Sequence, residues 1–219
     1  MTAAAFYIPL WFQVARGVSA EKSRVRTLPM VLATTVSAGL TGVCVEKLGY
    51  YTPFMFWGAL IEAVGAGFLS TTSTNTSFRT FAGFQILFGI GAGISLQQPL
   101  VAVQTVLPKE DIPKGSAPVL LGQTLGCSIF VCVAQAVLTN GSQHQLAAIQ
   151  DLSPQTRKIA KTGPAAFCSE VPEDLLPAVL KAYNGAIAGT FWVPMGLSIL
   201  GFVLAVGMEW RSVKKETSS

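Results

Sequence analysis

Residues 81–103, FAGFQILFGIGAGISLQQPLVAV, decide the fold of this chain. The stretch has 23 residues and no charged side chain. As an α-helix it would extend about 35 Å at 1.5 Å per residue, which exceeds the roughly 30 Å hydrocarbon core of a bilayer. The sequence therefore predicts a transmembrane helix over residues 81–103.

Four further apolar stretches predict transmembrane helices, and a shorter one opens the chain. The predicted spans are residues 1–14, 27–45, 53–70, 81–103, 115–138 and 185–208. Only 12% of the chain is charged, about half of the roughly 25% that is usual in soluble domains. We therefore expect an all-α integral membrane protein, a six-helix transmembrane bundle in contact with the lipid bilayer. The first span is too short to cross it, which indicates a partial helix.

Two regions outside the spans are long enough to describe separately, a loop over residues 139–184 and a tail over 209–219. Within the loop, Leu175, Leu176, Val179 and Tyr183 recur at helical spacing, which predicts a short amphipathic helix at the membrane surface. We expect it to pack on the bundle as a loop helix and not to serve as a lipid sensor. Basic residues in the short loops do not decide the orientation, because both sides carry similar numbers. Glycosylation sequons at Asn75 and Asn140 favour an outward position for the side that carries the long loop.

Several classes of function have no support in the sequence. There is no basic stripe with interleaved aromatic residues, so we expect no nucleic-acid binding. The glycines of residues 89–93 lie inside an apolar helix and not after a strand, which excludes a dinucleotide fingerprint. His144, which we place in the loop, is the only histidine, and no metal-ligand spacing of cysteine and histidine occurs. We therefore predict no catalytic residue, no metal site and no cofactor.

Polar side chains inside the spans are candidates for a substrate or proton path, because burying them in a membrane is expensive. The second, fourth and fifth spans carry one polar face each, which suits a bundle around an aqueous cavity. Hydrogen bonding between helices without any cavity explains the same pattern, and both interpretations stay open. The candidates are Glu62, Gln97, Gln98, Gln104, Gln123, Thr124, Ser128, Gln135, Thr34 and Ser37.

Glu62 is the one ionisable side chain within the spans, near the middle of the third. A carboxyl group there can take up and release protons, so proton coupling is one interpretation. The other is a protonated carboxyl group bonded to a neighbouring helix. In the fourth span, Pro99 predicts a kink that frees a backbone carbonyl. Pairs of glycines four residues apart, at 89 and 93, 122 and 126, and 185 and 189, predict close helix packing.

Residues 42–49, GVCVEKLG, resemble the loop motif between the second and third helices of a major facilitator superfamily half. Gly42, Glu46, Lys47 and Gly49 match the motif, whereas two tyrosines replace its final pair of basic residues. Further stretches are similar to fungal fourteen-helix drug:proton antiporters. They are YIPLWFQ at 7–13, RGVS at 16–19, GYYTP at 49–53, residues 89–104 and MEWRSVK at 208–214.

This resemblance implies the C-terminal six helices of a transporter, in a chain truncated before its N-terminal half. It implies efflux of small organic toxins, drugs or secondary metabolites by proton antiport, across the plasma membrane or a vacuolar or vesicle membrane. The partners would be the small organic substrate, protons, and the missing N-terminal half or a second copy. Loop 139–184 would be extracellular and tail 209–219 cytoplasmic. The alternative is a truncated, non-transporting fragment or interaction partner, in which the same polar residues serve only packing.

Overall fold

The computed structural model describes residues 2–74, 76–147 and 176–207, and within them the chain forms nine α-helices. The helices are α1 (Thr2–Arg16), α2 (Ala20–Val25), α3 (Leu28–Leu48), α4 (Thr52–Ser70), α5 (Phe78–Leu96), α6 (Gln98–Val106), α7 (Ile112–Ala147), α8 (Leu176–Thr190) and α9 (Trp192–Val206).

Five helical stretches of the described residues are long and apolar enough to cross a membrane. They are Ala20–Leu48, Thr52–Ser70, Phe78–Val106, Ile112–Ala147 and Ala178–Val206, so α2–α3, α5–α6 and α8–α9 each make one span. Helix α1, with 15 residues, packs against α8 and α7. The prediction of an all-α membrane bundle is confirmed.

Proline and glycine set the ends of several helices. Pro29, Pro53 and Pro99 occupy the first turn of α3, α4 and α6, where the missing proline N–H has no intrahelical partner to lose. Gly49 ends α3 with a φ of 82°, in the left-handed region, and its N–H donates to the carbonyl of Val45 at 2.8 Å. This cap makes the short turn into α4 that the sequence motif predicts.

The predicted loop over residues 139–184 is wrong at both ends. Helix α7 continues to Ala147, so His144 lies in a helix and not in a loop. The helix extends this far because Leu138, Ser142 and Leu146 form a buried row at four-residue spacing. At the other end, α8 is no surface helix. The side chain of Val179 on α8 is fully buried and belongs to the hydrophobic core. Residues 148–175 with Cys168, Asn75 and tail 209–219 lie outside the described residues.

An aromatic and polar cluster joins α1 to α5 and α8 in the core. The rings of Trp11 and Phe81 stack with centroids 4.2 Å apart. The indole N–H of Trp11 donates to Oδ1 of Asn184 at 2.6 Å, and Nδ2 of Asn184 donates to the carbonyl of Thr72 at 3.1 Å. All three partners are buried, so these hydrogen bonds connect α1, α8 and the end of α4 away from solvent.

Glycines bring α5 close to its two neighbours. A Cβ atom added to Gly89 would lie 2.6 Å from the carbonyl oxygen of Met30 on α3. A Cβ added to Gly91 would lie 2.6 Å from Cα of Glu62 on α4. The prediction of close packing is therefore confirmed at residues 89–93. It is wrong for Gly122 and Gly126, which face open space within the described structure.

Candidate functional site

The fourth span breaks where the sequence predicts a kink. Helix α5 ends and α6 begins around Gln97, and Pro99 cannot donate a backbone hydrogen bond to the carbonyl of Ser95. Beside it, Nε2 of Gln98 donates to the carbonyl of Ile94 at 2.9 Å. The break therefore brings Gln97 and Gln98 together within the span.

Helix α7 contacts the broken span at the break. Nε2 of Gln123 on α7 donates to the carbonyl of Leu96, the last residue of α5, at 3.5 Å. The next residue, Thr124, and Ser128 one helical turn after it are exposed, and they point about 100–140° around α7 from Gln123. Their hydroxyl groups donate to carbonyls of their own helix at 2.9 and 3.1 Å, so their oxygen lone pairs are available to a ligand or water.

Helix α7 is the least buried of the five long helices. Only 6% of its most apolar window is buried within the described structure. Its buried side chains all lie toward its C-terminal end, at Ala134, Leu138, Ser142 and Leu146. There Oε1 of Gln135 accepts a hydrogen bond from the hydroxyl of Tyr7 at 3.0 Å. The preceding part of α7 is exposed on its apolar sides, at Leu121, Leu125 and Ile129, as well as at Thr124 and Ser128.

The glutamines of α5 and α6 divide between two environments. Gln97 and Gln104 are exposed, whereas Gln98 is 2% exposed. Oε1 of Gln98 is buried and has no hydrogen-bond partner among the described residues. Gln98 therefore packs inside the bundle, and Gln97 and Gln104 supply the exposed face.

The polar face of α3 lies elsewhere. Thr34 and Ser37 are buried against α5, and their hydroxyl groups donate to Met30 and Ala33 carbonyls of the same helix at 2.8 and 2.6 Å. Ser37 also contacts the carbonyl of Gly89 on α5 at 3.5 Å. The structure places these two candidates at a helix–helix contact, where they support packing.

Glu62 lies in a separate cavity of about 200 Å³ between α4, α5 and α9. The half-buried carboxyl group shares the cavity with Ser95 and Ser198. The hydroxyl oxygen of Ser95 is buried and has no hydrogen-bond partner among the described residues. The sequence interpretation missed both serines, because neither belongs to a polar face of its own helix. The one available signal is that Ser95 follows Gly91, which contacts Glu62, by one helical turn.

The loop motif occupies the turn between α3 and α4. Glu46 and Lys47 are exposed, and Gly42 is exposed with open space around it. Gly49 alone has a defined structural role here, as the left-handed cap of α3. The motif therefore shapes the turn through Gly49, whereas the charged side chains of Glu46 and Lys47 are exposed.

No protein-family model matches the chain. Individual relatives do match it over nearly its whole length. The MFS-type transporter astH of Aspergillus oryzae is 43% identical over 209 residues, covering 95% of this chain and 37% of that protein. The efflux pump roqT of Penicillium rubens is 38% identical over 210 residues, covering 96% and 39%. The Aspyridones efflux protein of Neocamarosporium betae is 39% identical over 210 residues, covering 95% and 37%.

The chain is similar along nearly its whole length to part of these major facilitator superfamily transporters. It spans about two fifths of the length of the curated relatives it matches. Together with its five candidate spans, this similarity makes it a multi-pass membrane protein. The fold is that of part of a major facilitator transporter.

Proposed function

We propose that the chain is the C-terminal half of a proton-coupled major facilitator efflux transporter, with a small organic compound as cargo. The relatives' names support efflux, since they include efflux pumps and a protein named for aspyridones. In this proposal the substrate path runs along the exposed hydroxyl groups of Thr124 and Ser128 on α7. We call this set the α7 polar face.

The exposure of the α7 polar face carries the proposal. The hydroxyl groups of Thr124 and Ser128 donate within α7, so their oxygen atoms keep accepting positions that water or a substrate in a path would fill. Helix α7 is otherwise apolar enough to lie in the membrane. Helix α7 then forms one wall of the path. The N-terminal half of the transporter forms the opposite wall, and a second copy of the chain is the alternative.

The break around Gln97 suits alternating access. Transporters of this type move one bundle against the other around a site near the membrane midplane, which discontinuous helices often form. Pro99 keeps the break from closing into a continuous helix. The contact between Gln123 and Leu96 then joins the break to α7, so that both move with the same bundle.

Glu62 is the proposed proton site. Its cavity is small, lies within the membrane-spanning part of the bundle and contains two hydroxyl groups, which are suitable hydrogen-bond partners for either state of a carboxyl group. Glu62 and Gly91 are in backbone contact, so a change at Glu62 reaches α5 directly. This contact would link protonation to the broken span.

We place the protein in the plasma membrane, with the turn at residues 42–49 and tail 209–219 in the cytoplasm and segment 148–175 outside. A vacuolar or vesicle membrane is the alternative site. We expect no enzymatic activity, since no histidine lies beside the serines at Glu62 among the residues that the structure describes. No step of the proposed cycle uses a metal, cofactor or nucleic acid.

Efflux from a pump-deficient yeast tests the proposal. The host would express residues 1–219 alone, residues 1–219 with the N-terminal half of a related transporter, or an empty vector, with membrane insertion measured in parallel. We expect insertion in both cases and efflux only with the second half. Efflux by the chain alone would favour a homodimer, and no efflux in either case would favour a non-transporting fragment.

A further inference from the structure

The cavity at Glu62 has polar groups at only a few points of an apolar wall. Its volume is about 200 Å³, and apart from Glu62, Ser95 and Ser198 the described residues that line it are apolar. An ordered water molecule inside a protein needs a volume of about 15 Å³ and two to four polar partners. The cavity is therefore large enough for water, and its polar side chains decide where a water molecule is held.

The two serines of this cavity differ in what their hydroxyl groups meet. The hydroxyl oxygen of Ser95 is buried against α4, since a Cβ atom added to Gly58 would lie 2.5 Å from it. Ser198 on α9 is 8% exposed, and its hydroxyl group has no hydrogen-bond partner among the described residues. A polar group this deeply buried normally has a partner. Ser198 therefore presents an unsatisfied hydroxyl group to the cavity.

Glu62 and Ser198 line the cavity from two neighbouring helices, α4 and α9. No direct hydrogen bond joins these two described side chains. The rings of Phe56 on α4 and Phe202 on α9 pack with centroids 4.3 Å apart, which helps to fix the separation of the two helices. A water molecule both donates and accepts, so it can join two polar groups that are held too far apart for a direct hydrogen bond.

We propose that a bound water molecule links the carboxyl group of Glu62 to the hydroxyl group of Ser198. When Glu62 is charged, the water donates to the carboxylate and accepts from the hydroxyl group. When Glu62 is protonated, its O–H donates to the water, which donates in turn to the oxygen of Ser198. Ser198 is then a positioning residue for Glu62. This water bridge rests on Glu62 being the proton site of the proposed function, whereas transport is not needed to detect it.

Infrared difference spectroscopy of the purified chain, residues 1–219, in lipid nanodiscs at a series of pH values tests the water bridge. The carbonyl stretch of a protonated carboxyl group moves to lower frequency when the group is hydrogen-bonded, and the band that Glu62→Gln removes belongs to Glu62. We expect Ser198→Ala to move this band to higher frequency, and Ser198→Thr, which keeps a hydroxyl group, to restore it. Ser70→Ala is the control and should leave the band in place. Ser70 is on α4 outside the cavity, and its hydroxyl group donates to the carbonyl of Gly67 at 2.7 Å.

Two glycines of α9 test the water molecule itself, without a change to either of its polar partners. A Cβ atom added to Gly201 or to Gly196 meets no atom within 4 Å, but only Gly201 lines the cavity. Gly201→Leu should therefore expel the water and move the Glu62 band to higher frequency, whereas Gly196→Leu should not. An unmoved band in Ser198→Ala or in Gly201→Leu would overturn the water bridge and leave the proton site intact. A Glu62 band that is absent at every pH would overturn both.

Discussion

Trp11 on the first helix and Asn184 near the end of the described chain share a buried hydrogen bond, with Nε1 and Oδ1 2.6 Å apart. The other end of the same amide donates to the carbonyl of Thr72. One asparagine therefore satisfies a donor and an acceptor from two other elements inside the core. Because Trp11 and Thr72 are both buried, Asn184 satisfies groups that bulk water does not reach, and it helps to position α1.

Replacing Asn184 with alanine should destabilise the bundle by about 1–3 kcal/mol. The change leaves the indole N–H of Trp11 and the carbonyl of Thr72 buried without this partner. A thermal unfolding scan of the detergent-purified protein measures the effect. Asn140→Ala is the control, since Asn140 is exposed on α7, and it should shift stability by less than about 0.5 kcal/mol. Equal changes in stability for Asn184→Ala and Asn140→Ala would show that the Trp11–Asn184 hydrogen bond stabilises the bundle no more than an exposed side chain does.

Gly91 and Gly126 form a second matched pair. An alanine methyl group at residue 91 would meet backbone atoms of Glu62, so Gly91→Ala should force α4 and α5 apart and cost about 1–3 kcal/mol. At residue 126 the same methyl group enters open space, and the better helix propensity of alanine should make Gly126→Ala neutral or stabilising. The same unfolding scan compares the two. A loss of stability in both variants would mean that Gly126 is packed too.

Glu62→Gln should abolish proton-driven efflux in the complete transporter and leave its expression near normal. Glutamine keeps the shape and hydrogen-bonding capacity of the carboxyl group but does not titrate. Uptake of substrate into inverted vesicles under an imposed pH gradient measures the coupling. Glu110→Gln, exposed between α6 and α7, is the control and should retain coupling. Unchanged coupling in Glu62→Gln would make Glu62 a structural residue.

Short stretches of sequence predicted the features that depend only on the residues within them. The apolar length of residues 81–103 predicted a span, Pro99 predicted the break in its helix, and Gly49 predicted a turn, which has a positive φ in the structure. The end of α7 was missed, because polar residues such as Asn140 hid the buried row that Leu146 continues. A side chain can be polar in sequence and still lie on a packed helix.

The site was less predictable, because its geometry depends on contacts between distant residues. Thr34 with Ser37 and Thr124 with Ser128 look alike in sequence, as hydroxyl residues spaced along apolar helices. In the structure the first pair is buried against α5 and the second is exposed. Whether such a pair is buried or exposed depends on which helix packs beside it. The sequence around the pair does not identify that helix. The same limit hid Ser198, which meets Glu62 only in the folded bundle.

The central claim is that the α7 polar face lines an aqueous substrate path. Helix α7 offers a direct comparison, because Gly122 and Gly126 lie on nearly the opposite side of the same helix from Thr124 and Ser128, at 100° per residue. Single cysteines at these four positions would be introduced after replacing the four native cysteines, Cys44, Cys127, Cys132 and Cys168.

The decisive measurement is the rate at which a membrane-impermeant, water-soluble thiol reagent labels each cysteine in the complete transporter in membranes. We predict that Thr124→Cys and Ser128→Cys react at least tenfold faster than Gly122→Cys and Gly126→Cys, and that bound substrate slows only the first pair. Equal rates on both sides of α7, or no reaction at residues 124 and 128, would contradict the account.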